Sequence, residues 1–243
     1  MKEVEVIKPD SWFRVVEVEV NSRCNLKCRY CPNSILPPAN VPEYMNDETF
    51  ERLINELVRI NFTGKISYHL YSEPLLRNDL EKLIFQVKKR LPEVFQLLYT
   101  NGTLLTDERY QSLLEAGINH FKVTKHDYKP IETRPNQTVL YPENLTLTNR
   151  GGTLFKLKKS LDIPCYAPTE ILIVTVTGDI LLCCDDAERS HVMGNIIDQS
   201  LEEIWFSDKM LNIRELLRKG KRSEAASICR HCDDTEYYAP GKA

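Results

Sequence analysis

Val16-Glu17-Val18-Glu19-Val20, followed at once by Cys24-Asn25-Leu26-Lys27-Cys28-Arg29-Tyr30-Cys31-Pro32, is the stretch whose reading decides the fold. The alternation predicts a strand over Arg14 to Val20, with Val on one face and Glu on the other. Three cysteines at C-x3-C-x2-C spacing sit in the loop at its end, where α/β proteins place their chemistry. Three thiolates close together suit soft-metal or iron–sulfur ligation. Three ligands to a four-iron cluster also leave one iron open. On residue type alone, buried structural cysteines and a zinc site are the alternatives, although zinc favours a fourth ligand and paired C-x2-C arms.

Working outward, strands and helices alternate. Asp47 is the predicted N-cap of a helix bearing Phe50, Leu53, Ile54, Leu57 and Val58, ended by Phe62-Thr63-Gly64. Lys65 to Tyr71 reads as a second strand and Asp79 to Arg90 as a second helix. Val94 to Tyr99 is a third strand, and Thr106 caps a third helix closed by Gly117. Ile118 to Thr124 is a fourth strand ending at Lys125-His126-Asp127; residues 128–138 are predicted as a loop, and Thr138 to Tyr141 and Leu145 to Thr148 as short extended stretches. This βα spacing argues for parallel strands with right-handed crossovers. After residue ~160 the texture changes. Ile171 to Thr177, the Gly178-Asp179 turn and Ile180 to Leu182 predict a β-hairpin. Leu201 to Phe206 and Lys209 to Leu217 read as helices, Lys219-Gly220-Lys221-Arg222 as a solvated turn, and the chain from Asp233 onward as a loose tail. The expected division is a core over residues 1–155 and a small domain over residues 156–243.

Composition narrows the class. The 243 residues are 42% hydrophobic and 28% charged, those of an ordinary soluble protein, and a net charge of −3 points to neither nucleic acid nor anionic membrane as partner. No apolar run is long enough to span a bilayer, and Met1 to Asp10 alternates charge with Val and Ile, unlike a signal peptide. The 8 cysteines fall into an N-terminal and a C-terminal set, which fits metal-bound thiolates in a reducing cytoplasm better than disulfides. In the second set, Cys229-Arg230-His231-Cys232 is a C-x2-C arm, Cys183 and Cys184 follow the hairpin and Cys165 precedes it. Five cysteines thus compete for the four places of a closed metal site, iron–sulfur or zinc.

The cysteine spacing, the aromatic Tyr30 before the last cysteine and the preceding strand together resemble the signature of the radical S-adenosylmethionine (SAM) enzymes. The resemblance implies a partial (β/α)6 barrel with a [4Fe-4S] cluster on Cys24, Cys28 and Cys31. The open iron binds SAM, whose reductive cleavage gives a 5′-deoxyadenosyl radical. Tyr71-Ser72-Glu73-Pro74 matches the second-strand motif of this family, with Ser72 where a glycine is usual. Glu73 would accept the SAM ammonium, a charge-assisted contact worth roughly 1.5–3 kcal/mol. Thr100-Asn101-Gly102 matches the third-strand turn that faces the SAM ribose and methionine end. The second cysteine set resembles the shortened SPASM, or twitch, domain. It implies an auxiliary [4Fe-4S] cluster on Cys165, Cys183, Cys229 and Cys232, with Cys184 left over.

Within that family, further segments resemble the 2-deoxy-scyllo-inosamine dehydrogenases, aminocyclitol-oxidising enzymes of antibiotic biosynthesis. These are Cys31-Pro32-Asn33-Ser34, Asn149-Arg150-Gly151-Gly152 and Val192-Met193-Gly194-Asn195-Ile196. The resemblance implies oxidation of a secondary alcohol to a ketone, with Tyr71, Tyr99, His126, Arg150 and Asp185 facing substrate. Asp185 stands in place of a longer acidic residue, and Cys184 where an aromatic is expected. The implied partners are a small-molecule substrate and a flavodoxin- or ferredoxin-type reductant, the chain acting as a cytoplasmic monomer. Two rivals remain. One is a peptide maturase or epimerase with Cys184 as hydrogen donor, although the ~13 residues before the first strand leave no room for a peptide-recognition domain. The other is a non-catalytic iron–sulfur or zinc protein, which would need no SAM pocket.

Overall fold

The alternating run folds into β1, Val15–Val18, in a computed structural model that describes residues 11–37 and 40–242. The Met1 to Asp10 alternation and Pro38, at the end of the cysteine loop, lie outside the described residues. The described residues form two compact units: Val16–Thr146 with Val174–Gly178, and residues 11–15 with Leu147–Ile173 and residues 179–242.

The first unit continues through α1 (Asp47–Arg59), β2 (Lys65–Tyr68), α2 (Leu80–Arg90), β3 (Phe95–Thr100), α3 (Asp107–Ala116), β4 (His120–Thr124) and β5 (Gln137–Leu140). β2 to β5 pair in parallel, with Lys65 opposite Phe95, Leu97 opposite His120 and Phe121 opposite Gln137. The order across the sheet is β5-β4-β3-β2-β1, and Glu19 N donates to Val174 O at 2.8 Å, where the end of β6 (Ile171–Val174) follows β1 as the sixth strand. This is an α/β fold with a partly closed parallel sheet. Residues 137–140, expected as an isolated extended stretch, are its fifth strand, whereas Leu145 to Thr148 forms no strand. No helix joins β4 to β5; the link is the irregular stretch over residues 125–136.

Two local readings are corrected. Asn46, not Asp47, caps α1, its side chain accepting from Thr49 N, while Asp47 and Glu48 sit in the first turn against the helix dipole. The Glu face of β1 is not a water face: Glu17 and Glu19 are as buried as the Val residues, as expected for a strand covered on both sides. Glu17 meets His69, and Glu19 accepts Val176 N at 3.1 Å.

Inside this unit a buried polar node joins four segments. Gln96 on β3 accepts Tyr68 Oη at 2.6 Å and donates to the carbonyls of Ile84 on α2 and Gly117 after α3. Its own N–H goes to Asn119 Oδ1 at 2.7 Å.

The second unit contains α4 (Ala167–Glu170), the start of β6, β7 (Asp179–Leu181), β8 (Val192–Asn195), α5 (Leu201–Trp205), α6 (Asp208–Arg218), α7 (Arg222–Ala225) and α8 (Ser227–His231). β7 and β8 are antiparallel, with Ile180 opposite Gly194. Arg214 is buried, stacked 3.7 Å over Trp205, and donates to the carbonyls of Pro168 and Trp205. Burial pushes its pKa down to about 9. The Lys219–Arg222 group is not a solvated turn throughout, because Arg222 is 1% exposed and donates to three backbone carbonyls. The C-terminal residues are likewise tied down: Asp233 Oδ1 accepts Asn149 N, Tyr237 O accepts Tyr166 N, and Gly241 N reaches Glu170. Among the described residues no helix is long and apolar enough to cross a membrane.

Replacing Gln96 by Leu strands the buried Tyr68 hydroxyl and two carbonyls. The expected loss is about 1–3 kcal/mol in urea unfolding at unchanged m. Adding Tyr68→Phe to Gln96→Leu should recover part of it, because the stranded hydroxyl is then gone.

Candidate functional site

Three loops of the first unit meet at one residue, Glu73. Glu73, 1% exposed, accepts Thr100 Oγ1 and Asn101 N at 2.7 Å each and Leu75 N at 3.1 Å. Its backbone is used as well: Glu73 N donates to Arg23 O at 2.8 Å, and Glu73 O accepts Asn21 Nδ2 at 2.5 Å. The cysteine loop is thus bonded to the end of β2, and the end of β2 to the turn after β3. The ring closes through Asn25, which accepts from Asn101 Nδ2 and donates to Thr103 Oγ1. Gly102 has φ +74, and a Cβ there would lie 2.7 Å from Val123 Cγ1, so the Asn-Gly turn needs its glycine. Burial pushes the Glu73 carboxyl up, against the three donors that pull it down. With three of its roughly four acceptor sites taken, Glu73 offers an ammonium mainly its charge. Ser72 Oγ, by contrast, is buried with no hydrogen-bond partner among the described residues. A polar atom left open in the motif that would hold a cationic ligand fits that ligand.

Arg77 is a positioning residue that the sequence did not single out. Its buried guanidinium donates to Val20 O at 3.0 Å and Met45 O at 2.6 Å and pairs with Asp79. It fixes the end of the run that launches the cysteine loop.

Cys24, Cys28 and Cys31 are half-buried in that loop. Cys28 is pushed up to about 11 by burial and then by the charges of Cys31 and Cys24, so the three thiols share one neighbourhood. Leu26 N lies 3.5 Å from Cys24 Sγ. The Tyr30 hydroxyl meets His126 Nδ1, their rings 5.7 Å apart. Burial raises Tyr30 to about 12 and lowers His126, so at neutral pH the phenol keeps its proton and the imidazole stays uncharged. Tyr99 stacks on His69 at 4.2 Å and receives Lys122 Nζ at 3.2 Å. Tyr71 contributes its carbonyl to Asn33 Nδ2, and Pro74 opens a short turn after Glu73.

In the second unit, Cys165, Cys183, Cys229 and Cys232 line one cavity, whose empty volume, open mouth included, is about 370 Å³. Cys184 is not among its lining residues. Burial raises Cys165 to about 11 and Cys229 to about 12, and Cys183 is raised by its contact with Cys184 and by burial. Asp185 N and Asp234 N point at Cys183 Sγ and Cys232 Sγ, each at 3.4 Å. Amides aimed at sulfur stabilise thiolates and tune iron–sulfur clusters. Four cysteine thiols on one cavity wall are a donor set that fits a [4Fe-4S] cluster.

The same cavity wall carries Asp185, 3% exposed, which accepts Arg150 Nη1 and Thr148 Oγ1 at 3.1 Å each. Arg150 is held at φ 53 ahead of two glycines. A Cβ on Gly152 would lie 2.7 Å from His231 Cβ, so this turn lies flat on α8 only with glycine. Two residues expected to face substrate are thus an ion pair beside the thiol-lined cavity. Arg222 lines the cavity too.

Comparison with known proteins identifies the family of both units' sequences. The radical SAM superfamily profile matches residues 18–163, and the profile of an iron–sulfur cluster-binding domain, SPASM, matches residues 165–233. The chain is 35% identical over 238 residues to the S-adenosyl-L-methionine-dependent 2-deoxy-scyllo-inosamine dehydrogenase of Niallia circulans, covering 93% of this chain and 94% of that one. It is 32% identical over 217 residues to the GTP 3′,8-cyclase of Aquifex aeolicus (strain VF5), covering 83% and 64%. The crystal structure of BtrN in complex with AdoMet and 2-DOIA superposes with a TM-score of 0.88 at 33% identity, covering 96% of this chain and 98% of that one. The chain belongs to the radical SAM superfamily and carries a SPASM-type iron–sulfur cluster-binding domain behind its SAM domain.

Proposed function

We propose that this radical SAM enzyme, a close homologue of 2-deoxy-scyllo-inosamine dehydrogenase, oxidises a secondary alcohol of an aminocyclitol or similar polyol to a ketone. The observation that carries the reading is Asp185 on the wall of the four-cysteine cavity, paired there with Arg150, a polar fork for hydroxyl and amine groups beside an electron acceptor. When bound, SAM with its cluster supplies the radical that takes a hydrogen atom from the carbinol carbon, and the auxiliary cluster accepts the electron that this carbon must lose.

The chain's own residues do the rest. Cys24, Cys28 and Cys31 hold the first cluster, and Cys165, Cys183, Cys229 and Cys232 the second. Glu73 supplies negative charge, and Ser72 Oγ an open acceptor, for the SAM ammonium. Arg150 holds the reacting hydroxyl with a charge that never titrates, which favours the hydroxyl's ionised form; it is no base. Asp185 keeps Arg150 in place and takes a hydroxyl or ammonium of the substrate. A flavodoxin- or ferredoxin-type reductant delivers the electron that starts turnover.

Three outcomes are expected. Anaerobic reconstitution should load about eight irons per chain, falling to about four when Cys24, Cys28 and Cys31 are all Ala; about four falling to none removes the auxiliary cluster and the mechanism with it. Glu73→Gln places an amide against Asn101 N–H, and should raise the KM for SAM by about tenfold or more while the C-terminal cysteines keep their iron. Arg150→Lys should form 5′-deoxyadenosine with the ketone yield down by about tenfold or more, because a lysine lacks the fork that orients the hydroxyl; tight coupling in that variant would remove Arg150 from the substrate site.

A further inference from the structure

Arg222 stands in a turn that reads as solvated, yet it is 1% exposed and lines the cavity shared by the four C-terminal thiols. Its guanidinium donates to Ile163 O at 3.1 Å, Pro164 O at 3.1 Å and Asp234 O at 2.8 Å. Ile163 and Pro164 run directly into Cys165, and Asp234 follows Cys232 by two residues. One side chain therefore clips together the two backbone segments that supply Cys165 and the C-x2-C arm. Its three bonds go to backbone carbonyls, and the two acidic residues that line the same cavity are Asp234 and Asp185, the latter already paired with Arg150. A cation in a buried wall acts at a low effective dielectric, where its influence on a neighbouring charge is large.

We infer that Arg222 sets the reduction potential of the auxiliary cluster, raising it so that the cluster can take an electron from the substrate radical. The inference rests on the dehydrogenase reading above and names the residue that makes its electron-accepting step favourable. A thiolate-ligated iron–sulfur cluster is an anion and becomes more negative on reduction, so a fixed cation beside it stabilises the reduced form. In that step the carbon radical loses one electron to the cluster and its hydroxyl proton to solvent, and the C–O bond becomes C=O. Over a full turnover the alcohol and SAM give the ketone, 5′-deoxyadenosine, methionine and a proton. The electron that cleaves SAM is recovered from the substrate, so no further oxidant is required. Arg222 is a tuning residue that acts through the cluster and touches neither substrate nor SAM.

The experiment uses the full chain with Cys24, Cys28 and Cys31 changed to Ala, so that only the auxiliary cluster remains, and reads its midpoint potential by EPR-monitored redox titration. Arg222→Gln removes the charge and keeps N–H donors for the carbonyls; Arg222→Lys keeps the charge and loses the fork. Expected is a tenfold or larger loss in the equilibrium constant for reduction in Arg222→Gln, a shift of about 59 mV to more negative potential for one electron. Arg222→Lys should stay within about threefold of the parent, less than half that shift. In the enzyme with both clusters, Arg222→Gln should form 5′-deoxyadenosine at the parent rate and ketone more slowly. An unmoved midpoint in Arg222→Gln, an equal shift in both variants, or loss of iron from both would overturn the inference, the last making Arg222 a structural clip only. Absence of iron from the triple-Ala parent itself would instead sink the two-cluster reading on which the inference stands.

Discussion

The carboxylate of Glu73 is the constraint on which the first unit's site depends. A carboxylate buried this completely persists only if donors meet it, and here the donors come from different loops. Thr100 and Asn101 belong to the turn after β3, Leu75 to Glu73's own turn, and Asn21 and Arg23 reach the same residue's backbone from the cysteine loop. Losing Thr100 or Asn101 leaves the charge short of a donor, and losing the Asn21 or Arg23 bond frees the cysteine loop from Glu73's backbone, so this one residue ties the three loops together. That cooperation matters because a cluster on three cysteines is placed by a flexible loop, and a loop is rigid only when its backbone is bonded to something that is.

The second unit uses the same device with the opposite sign. Arg222 is buried among carbonyls and holds the two segments that carry its cysteines, and Arg214 does comparable work in the core under Trp205. Buried charges of this kind add little net stability, because desolvation offsets what the bonds contribute. Their effect is specificity: a guanidinium with several directed donors fits one arrangement of the surrounding carbonyls. In the function proposed above, the ion pair of Arg150 with Asp185 would extend this logic to the substrate, since a hydroxyl entering that fork would meet groups whose positions are already set.

What could be read from the chain depended on whether the signal was local. The C-x3-C-x2-C loop, the caps of α3, the Asn101-Gly102 turn and the four parallel strands through β4 are local patterns, and each lies where its periodicity or spacing puts it. β5 was legible only as an extended stretch, because a four-residue strand has too few alternations to announce a partner. The N-cap of α1 went to Asn46 rather than Asp47 because two adjacent capping residues are separated only by which backbone N–H lies in reach.

Sequence by itself determined two cysteine sets at short spacings and, through the family resemblance that those spacings carry, a radical SAM fold followed by an iron–sulfur cluster-binding domain. Tertiary structure alone decided which charges are buried. Arg222 in a Lys-Gly-Lys-Arg turn reads as solvated from its neighbours in sequence, and nothing local marks Glu17, Glu19 or Arg77 as buried. Arg222 and Arg77 meet carbonyls distant in the chain, Glu19 a distant backbone amide and Glu17 the ring of His69, and no local pattern carries that information. Spacing alone left Cys183 and Cys184 open and the family resemblance implied Cys183; in the folded chain it is Cys183 that lines the cavity with Cys165, Cys229 and Cys232.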